Sequence, residues 1–198
     1  MTMGTQDEAV RAAAALADAL ASCAQRDPVS DVQTQAGEPD PHDVARQIVL
    51  RQLALAPRSR AQLGQKLSQR GCPADVAATV LDRMTEVGLV DDQAYAQMLV
   101  RSQQAGRGLA KRALARKLRN QGIEEDLADE ALASISDADE RDRALALVER
   151  KLRAMHGLGI EVQTRRLAGM LARKGYSWSV TSAVIGEAIA DAPEHLPD

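Results

Sequence analysis

The sequence predicts an all-α protein: an elongated array of three tandem three-helix repeats, about nine helices, behind an N-terminal extension. Three observations predict it. One pattern of apolar residues and glycine occurs three times with identical internal spacing. The copies follow one another at a nearly fixed period, with their glycines 51 and 53 residues apart, and a period of this size marks a helical array. The chain is 45% hydrophobic but only 2% aromatic, with no Phe. Its core must therefore be Leu, Val, Ile and Ala, which suits packed helices and serves a β-sandwich poorly.

The elements follow in chain order. Residues 1–43 carry eight acids and two bases, a balance of −6, and the remaining 155 carry 23 bases and 20 acids, a balance of +3. Residues 6–24 have Ala/Leu helix propensity but little apolar bulk. Residues 25–42 are polar, hold three prolines and one glycine, and read as a disordered linker. Residues 1–42 thus form an acidic extension that is disordered or loosely helical. The folded body begins near Asp43, with a first repeat over 43–90, a second over 91–138, and a third with a short tail over 139–198.

The repeated pattern is Leu63, Leu67, Gly71, Val76, Val80; then Leu114, Leu118, Gly122, Leu127, Ala131; then Leu167, Leu171, Gly175, Val180, Val184. Spacings are 4, 4, 5 and 4 in each copy. Apolar residues four apart share a helix face. A glycine four further on can adopt the left-handed conformation that ends the helix. Each copy is therefore a helix–turn–helix hairpin. Ser59 and Gln62 form a capping box for the first hairpin. Pro73 stands where a first-turn proline is tolerated, and Ser177 is an N-cap candidate. A further helix precedes each hairpin, at about 43–55, 92–104 and 139–155. Gly88 reads as the residue closing a helix with Leu89 as its apolar partner, and Asp91 as the next N-cap.

Chemistry-bearing signals point away from an enzyme. His42, His156 and His195 are far apart in the chain and fall in expected loops or tails. Cys23 and Cys72 have no CxxC spacing or nucleophile motif around them, and read as reduced thiols of a cytoplasmic protein. Asp91-Asp92 makes a cap rather than a metal site. Gly106-Arg107-Gly108 and Gly157-Leu158-Gly159 follow no strand, so neither is a nucleotide loop. No cofactor, metal or catalytic residue is expected. No stretch reads as a signal peptide or membrane span.

The strongest charged feature is the acid-free run from Arg101 to Arg119, holding Arg101, Arg107, Lys111, Arg112, Arg116, Lys117 and Arg119. Arg112, Arg116 and Arg119 share one helix face. Two readings fit: a cationic surface for phosphates or an acidic protein, or a solvated face balanced by Glu124, Glu125, Asp126, Asp129 and Glu130. The third repeat adds Arg150, Lys151, Arg153, Arg165 and Arg166, then Arg173 and Lys174. The first has Arg58, Arg60, Lys66 and Arg70. Arg70 and Lys174 are explained by the dipole of the helix each one ends. Tyr95 and Tyr176 are expected to point inward, and Trp178 to be partly buried. Dedicated single-strand binding is disfavoured by the shortage of stacking platforms.

RSRAQLGQKLSQRG, followed by GLVDDQAYAQMLVRSQQAGRGLAKRALARKLRNQGI, resembles the RecX regulatory family over about residues 44–190. The GLVDD turn, Tyr95 (where members often have Phe), Arg101 and the KLRNQGI ending carry the likeness. The acidic extension lies outside it. The resemblance implies a modulator of the RecA recombinase in recombination, DNA repair and the SOS response. Such a protein would bind RecA filaments on single-stranded DNA along the groove, inhibiting ATP hydrolysis, strand exchange and co-protease activity. It would act as a monomer without membrane contact, touching DNA weakly if at all. From the residues alone, a direct DNA-binding helical-repeat protein, such as a transcription regulator, and a general protein-interaction scaffold remain alternatives.

Overall fold

Three hairpin turns set the architecture. Gly71, Gly122 and Gly175 adopt φ of 76°, 73° and 92°, the left-handed region that costs other residues about 1–2 kcal/mol. In each turn the residue after the glycine donates its N–H to the carbonyl of the pattern leucine five before it: Cys72 to Leu67 at 3.1 Å, Ile123 to Leu118 at 3.2 Å, Tyr176 to Leu171 at 3.2 Å. One leucine thus fills the core with its side chain and closes the helix with its carbonyl.

In the computed structural model, residues 40–191 are described. The expected acidic extension, up to residue 39, lies outside them, as do Cys23, His195 and the C-terminal tail. Among the described residues there are nine α-helices and no strand: α1 Pro41–Leu55, α2 Arg60–Gln69, α3 Ala74–Glu86, α4 Asp92–Arg107, α5 Lys111–Asn120, α6 Glu125–Ala133, α7 Asp137–Leu152, α8 Ile160–Lys174 and α9 Trp178–Ala190, with a 3-10 turn at Arg153–Met155 after α7. Helix α1 starts two residues ahead of the expected Asp43. Pro41 fits its first position, and Asp40 caps it by accepting from the His42 N–H at 2.9 Å. The Ser59–Gln62 capping box forms. The Asp91 and Ser177 caps accept from Ala94 N–H at 2.8 Å and Val180 N–H at 3.2 Å.

Helices α1–α3, α4–α6 and α7–α9 pack within their own triplets. Each triplet has its own core. Leu63 and Leu67 anchor the first, Leu114 and Leu118 the second, Leu167 and Leu171 the third. Every one of these six leucines is at most 1% exposed, and burying each contributes roughly 1.5–3 kcal/mol. Tyr95 and Tyr176 point inward as expected, at 9% and 3% exposure. Trp178 does not: it is 74% exposed. Tyr176, two residues earlier, takes the inward position at this helix start, which leaves the indole outside. Leu89 is likewise exposed, and Val90 fills the position beside the Gly88 turn instead.

The triplets join through main-chain contacts. At the first junction the Ser59 hydroxyl donates to the Gln121 carbonyl at 2.6 Å, and the Arg60 N–H donates to Asp92 Oδ1 at 2.8 Å. At the second, the Ala110 N–H donates to the Lys174 carbonyl at 3.0 Å, and the Lys111 N–H to Glu140 Oε2 at 2.7 Å. Asp92 and Glu140 stand at matching positions, each seven residues before the first of the paired core residues Leu99-Val100 and Leu147-Val148. At both junctions a turn glycine of the later triplet lies on the first turn of the earlier triplet's middle helix. A Cβ on Gly122 would fall 2.2 Å from the Ala61 Cβ, and one on Gly175 would fall 2.6 Å from the Ala113 Cβ, whereas one on Gly71 would meet nothing within 4 Å.

Two outcomes follow for unfolding in urea. Gly71→Ala should cost only the left-handed backbone term, about 1–2 kcal/mol. Gly122→Ala should cost clearly more, because its methyl also forces the first two triplets apart; equal losses would show that Gly122 holds no junction. Burial raises the Asp92 carboxyl pKa above 3.8, partly offset by the Arg60 N–H. The folded chain therefore binds this proton more readily than the unfolded chain, and the side chain favours folding least above its raised folded pKa. Asp92→Asn keeps the acceptor for Arg60 N–H, so at pH 7 it should be no less stable than the native chain. The native chain should gain on it as pH falls toward 4. Asp92→Ala orphans that donor and should cost about 1–3 kcal/mol.

Candidate functional site

The cationic run spans the end of α4, the following loop and all of α5. Burial of Ala113, Leu114 and Leu118 fixes which side of α5 faces the core. Arg112, Arg116 and Arg119 then stand together as an exposed strip. Arg101 and Arg107 are exposed on α4, and Lys111 is exposed at the first position of α5. Lys117 is half-buried and donates to Gln103 Oε1 at 3.1 Å.

These bases have no ion-pair partner among the described residues. The ion pairs among the described residues join Arg46 to Asp43, Arg60 to Asp82, Arg83 to Glu86, Arg141 to Glu187 and His42 to Asp40. None involves a base between 101 and 119. Of the acids on and before α6, Glu130 accepts from Gln93 Nε2 at 2.7 Å, and none is in these ion pairs. The first turn of α5 holds Lys111 and Arg112 and no acid. Two cations therefore sit at the positive end of the helix dipole, where each costs about 0.3–1 kcal/mol. The Glu140 carboxylate, reaching across from α7 to accept the Lys111 N–H at 2.7 Å, supplies the negative charge that the first turn of α5 lacks in its own sequence.

Arg150 and Lys151 lie in the last turn of α7, Arg153 opens the 3-10 turn, and Arg165 and Arg166 lie on α8; all are exposed. The fold brings Arg107 and Arg150, 43 residues apart, into one groove of about 210 Å³ at the junction of the second and third triplets. Arg143 and Lys174 complete its charged lining. Sequence reasoning missed Arg143 and gave Lys174 to the helix dipole alone. The available signal was Arg143 and Arg150 seven apart, hence on one face of α7. Lys174 Nζ also donates to the Arg107 carbonyl. Its pKa is held below the usual lysine value, first by burial and then by Arg150. Tyr176 donates to the Gly108 carbonyl at 3.1 Å, and burial pushes its phenol up to about 12.

Among the described residues no group of three or more His, Cys, Asp or Glu is placed to hold a metal ion. His42 lies in the first turn of α1 and His156 directly follows the 3-10 turn, 114 residues later, and Cys72 is a free, half-buried thiol. No helix there is long and apolar enough to cross a membrane.

Models of the first, second and third three-helix domains of RecX match residues 45–84, 91–132 and 138–185. Curated relatives bear the name regulatory protein RecX. That of Streptomyces coelicolor is 47% identical over 174 residues, covering 85% of this chain and 93% of its own. That of Thermobifida fusca is 47% identical over 154 residues, covering 76% and 83%. That of Mycolicibacterium smegmatis is 42% identical over 172 residues, covering 83% and 92%. The crystal structure of RecX from Lactobacillus salivarius superposes with a TM-score of 0.67 at 19% identity, covering 75% of this chain and 97% of that one, a likeness of fold.

The charge placement gives a stability test. Arg112→Glu should raise unfolding stability by roughly 0.3–1 kcal/mol by reversing a misplaced charge at the α5 N-terminus. A loss of stability in urea denaturation would show that Arg112 serves the fold instead.

Proposed function

The chain belongs to the RecX family, and on that premise we propose that it regulates the RecA recombinase by binding RecA filaments on single-stranded DNA. It acts by binding rather than by catalysis, as a cytoplasmic monomer lying in the filament groove. Bridging neighbouring protomers resists the motions coupled to ATP turnover and obstructs the second DNA. ATP hydrolysis, strand exchange and co-protease activity therefore fall, restraining recombination, repair and the SOS response.

The observation that supports this reading is the unpaired cationic surface of the middle triplet. Its bases pair with no acid among the described residues, and two of them oppose the dipole of their own helix. Such a surface is suited to an acidic protein face or to phosphate. Arg101, Arg107, Lys111, Arg112, Arg116, Lys117 and Arg119 are its contact residues. Arg150, Lys151, Arg153, Arg165 and Arg166 extend it into the third triplet.

Added to RecA on single-stranded DNA, the protein should slow ATP hydrolysis and strand exchange in proportion to its concentration. The triple reversal Arg112→Glu, Arg116→Glu, Arg119→Glu should need at least tenfold more protein for the same inhibition. Undiminished ATPase and strand exchange in the presence of the native chain would rule the reading out.

A further inference from the structure

The grooves at the two junctions stand on the same frame and are lined by different chemistry. The Arg60 N–H meets Asp92 and the Lys111 N–H meets Glu140, and these matched contacts set the register between copies. In that register Leu53, Pro57, Tyr95 and Met98 stand where Gln104, Gly108, Arg143 and Ala146 stand. Each set of four lines the groove at its own junction. The second set is polar or small, so the frame does not require an apolar lining there. The first groove is apolar for another reason.

Leu53 packs on the edge of the first core and Met98 on the edge of the second. The groove is thus the seam where two cores reach the surface. Leu89 lines it too and is 51% exposed. It precedes the buried Val90 as Ser134 precedes the buried Ile135, so here again the second copy is polar where the first is apolar. The volume is about 230 Å³, below the roughly 300–1,000 Å³ of small-molecule sites. It has room for a large side chain rather than a free ligand.

One base lines this groove. Arg58 is half-buried, its Nε is buried without an acceptor, and it makes no ion pair among the described residues. A buried donor left unpaired costs about 1–3 kcal/mol, and the second copy avoids that cost with Leu109 at the matching position. The acid of the lining, Asp91, is engaged in capping α4, where Oδ1 accepts the Ala94 N–H at 2.8 Å. Its charge sits at the positive end of that helix dipole. An acceptor for Arg58 is therefore wanted from outside.

We propose that the groove between the first and second triplets docks a protein segment that presents a large apolar side chain beside a carboxylate. The side chain fills the seam between Leu53, Leu89 and Met98, and the carboxylate meets the Arg58 guanidinium. Tyr, Met and Arg are residue types enriched in protein interfaces, and anchors of this kind carry most of an interface's binding energy. A phosphate backbone would find one base here, set among apolar groups. The inference rests on the recombinase-binding reading above and gives it a second, apolar contact, remote from the cationic strip of α5.

The test is biolayer interferometry of the full chain on immobilised RecA filaments, assembled on oligo-thymidylate with a non-hydrolysable ATP analogue. Leu89→Ser and Arg58→Leu give the first copy the residues of the second. Each should weaken binding about fivefold or more, while Arg58→Leu is no less stable than the native chain in urea. Raising salt should weaken the native chain more than Arg58→Leu, because that variant has lost a charged contact. Leu50→Ser with Ile160→Ser alters two exposed apolar residues outside the groove and should shift affinity less than twofold. Losses as large in that control pair, or tighter binding by Arg58→Leu, would overturn the site. Native binding matched within twofold by both groove variants overturns this inference alone; no binding by the native chain overturns it together with the recombinase reading.

Discussion

The left-handed glycine at each hairpin turn is the constraint from which the rest of this structure follows. It ends the middle helix of a triplet at a fixed distance from two core leucines. It presents no side chain, so the turn of one triplet can lie on the first turn of the preceding middle helix. Gly71, with no described triplet before it, meets only the first requirement. Gly122 and Gly175 meet both, and the register of the array is set by them.

The same geometry explains how a chain with a net charge of −3 carries strongly cationic surface. Several of its acids are consumed by construction. Asp91 caps a helix, Asp139 completes a capping box, and Asp92 and Glu140 receive main-chain donors across junctions. The bases between 101 and 119 make no ion pair among the described residues, and all but Lys117 are exposed. Overall charge balance thus says little about the field a partner would meet; the division of tasks between acids and bases decides it.

Much of the fold was legible in the sequence because it depends on spacing. The pattern leucines, the turn glycines and the Ser59, Asp91 and Ser177 caps are local in chain terms, and helix periodicity reveals them. What escaped was set by contacts between distant residues. Trp178 reads as half-buried by residue type, but Tyr176 occupies the inward position. Leu89 reads as the apolar partner of its turn, but Val90 fills that place. Arg143 looks like one more charge on a polar helix until Gly108 brings the end of α4 against it. The candidate cationic surface was visible as composition along 101–119; the groove that joins Arg107 to Arg150 was not, because no local rule couples residues of different repeats.

The two junctions share main-chain groups and differ in side chains. The carbonyls of Gln121 and Lys174 and the N–H groups of Arg60 and Lys111 occupy equivalent places; side chains supply a carboxylate at each junction and, at the first, the Ser59 hydroxyl. Mutation at most outward positions therefore leaves the joints intact. Such a chain can diversify one copy's outer face while its neighbours hold theirs, so duplication provides three independently evolvable recognition surfaces on a single inherited frame.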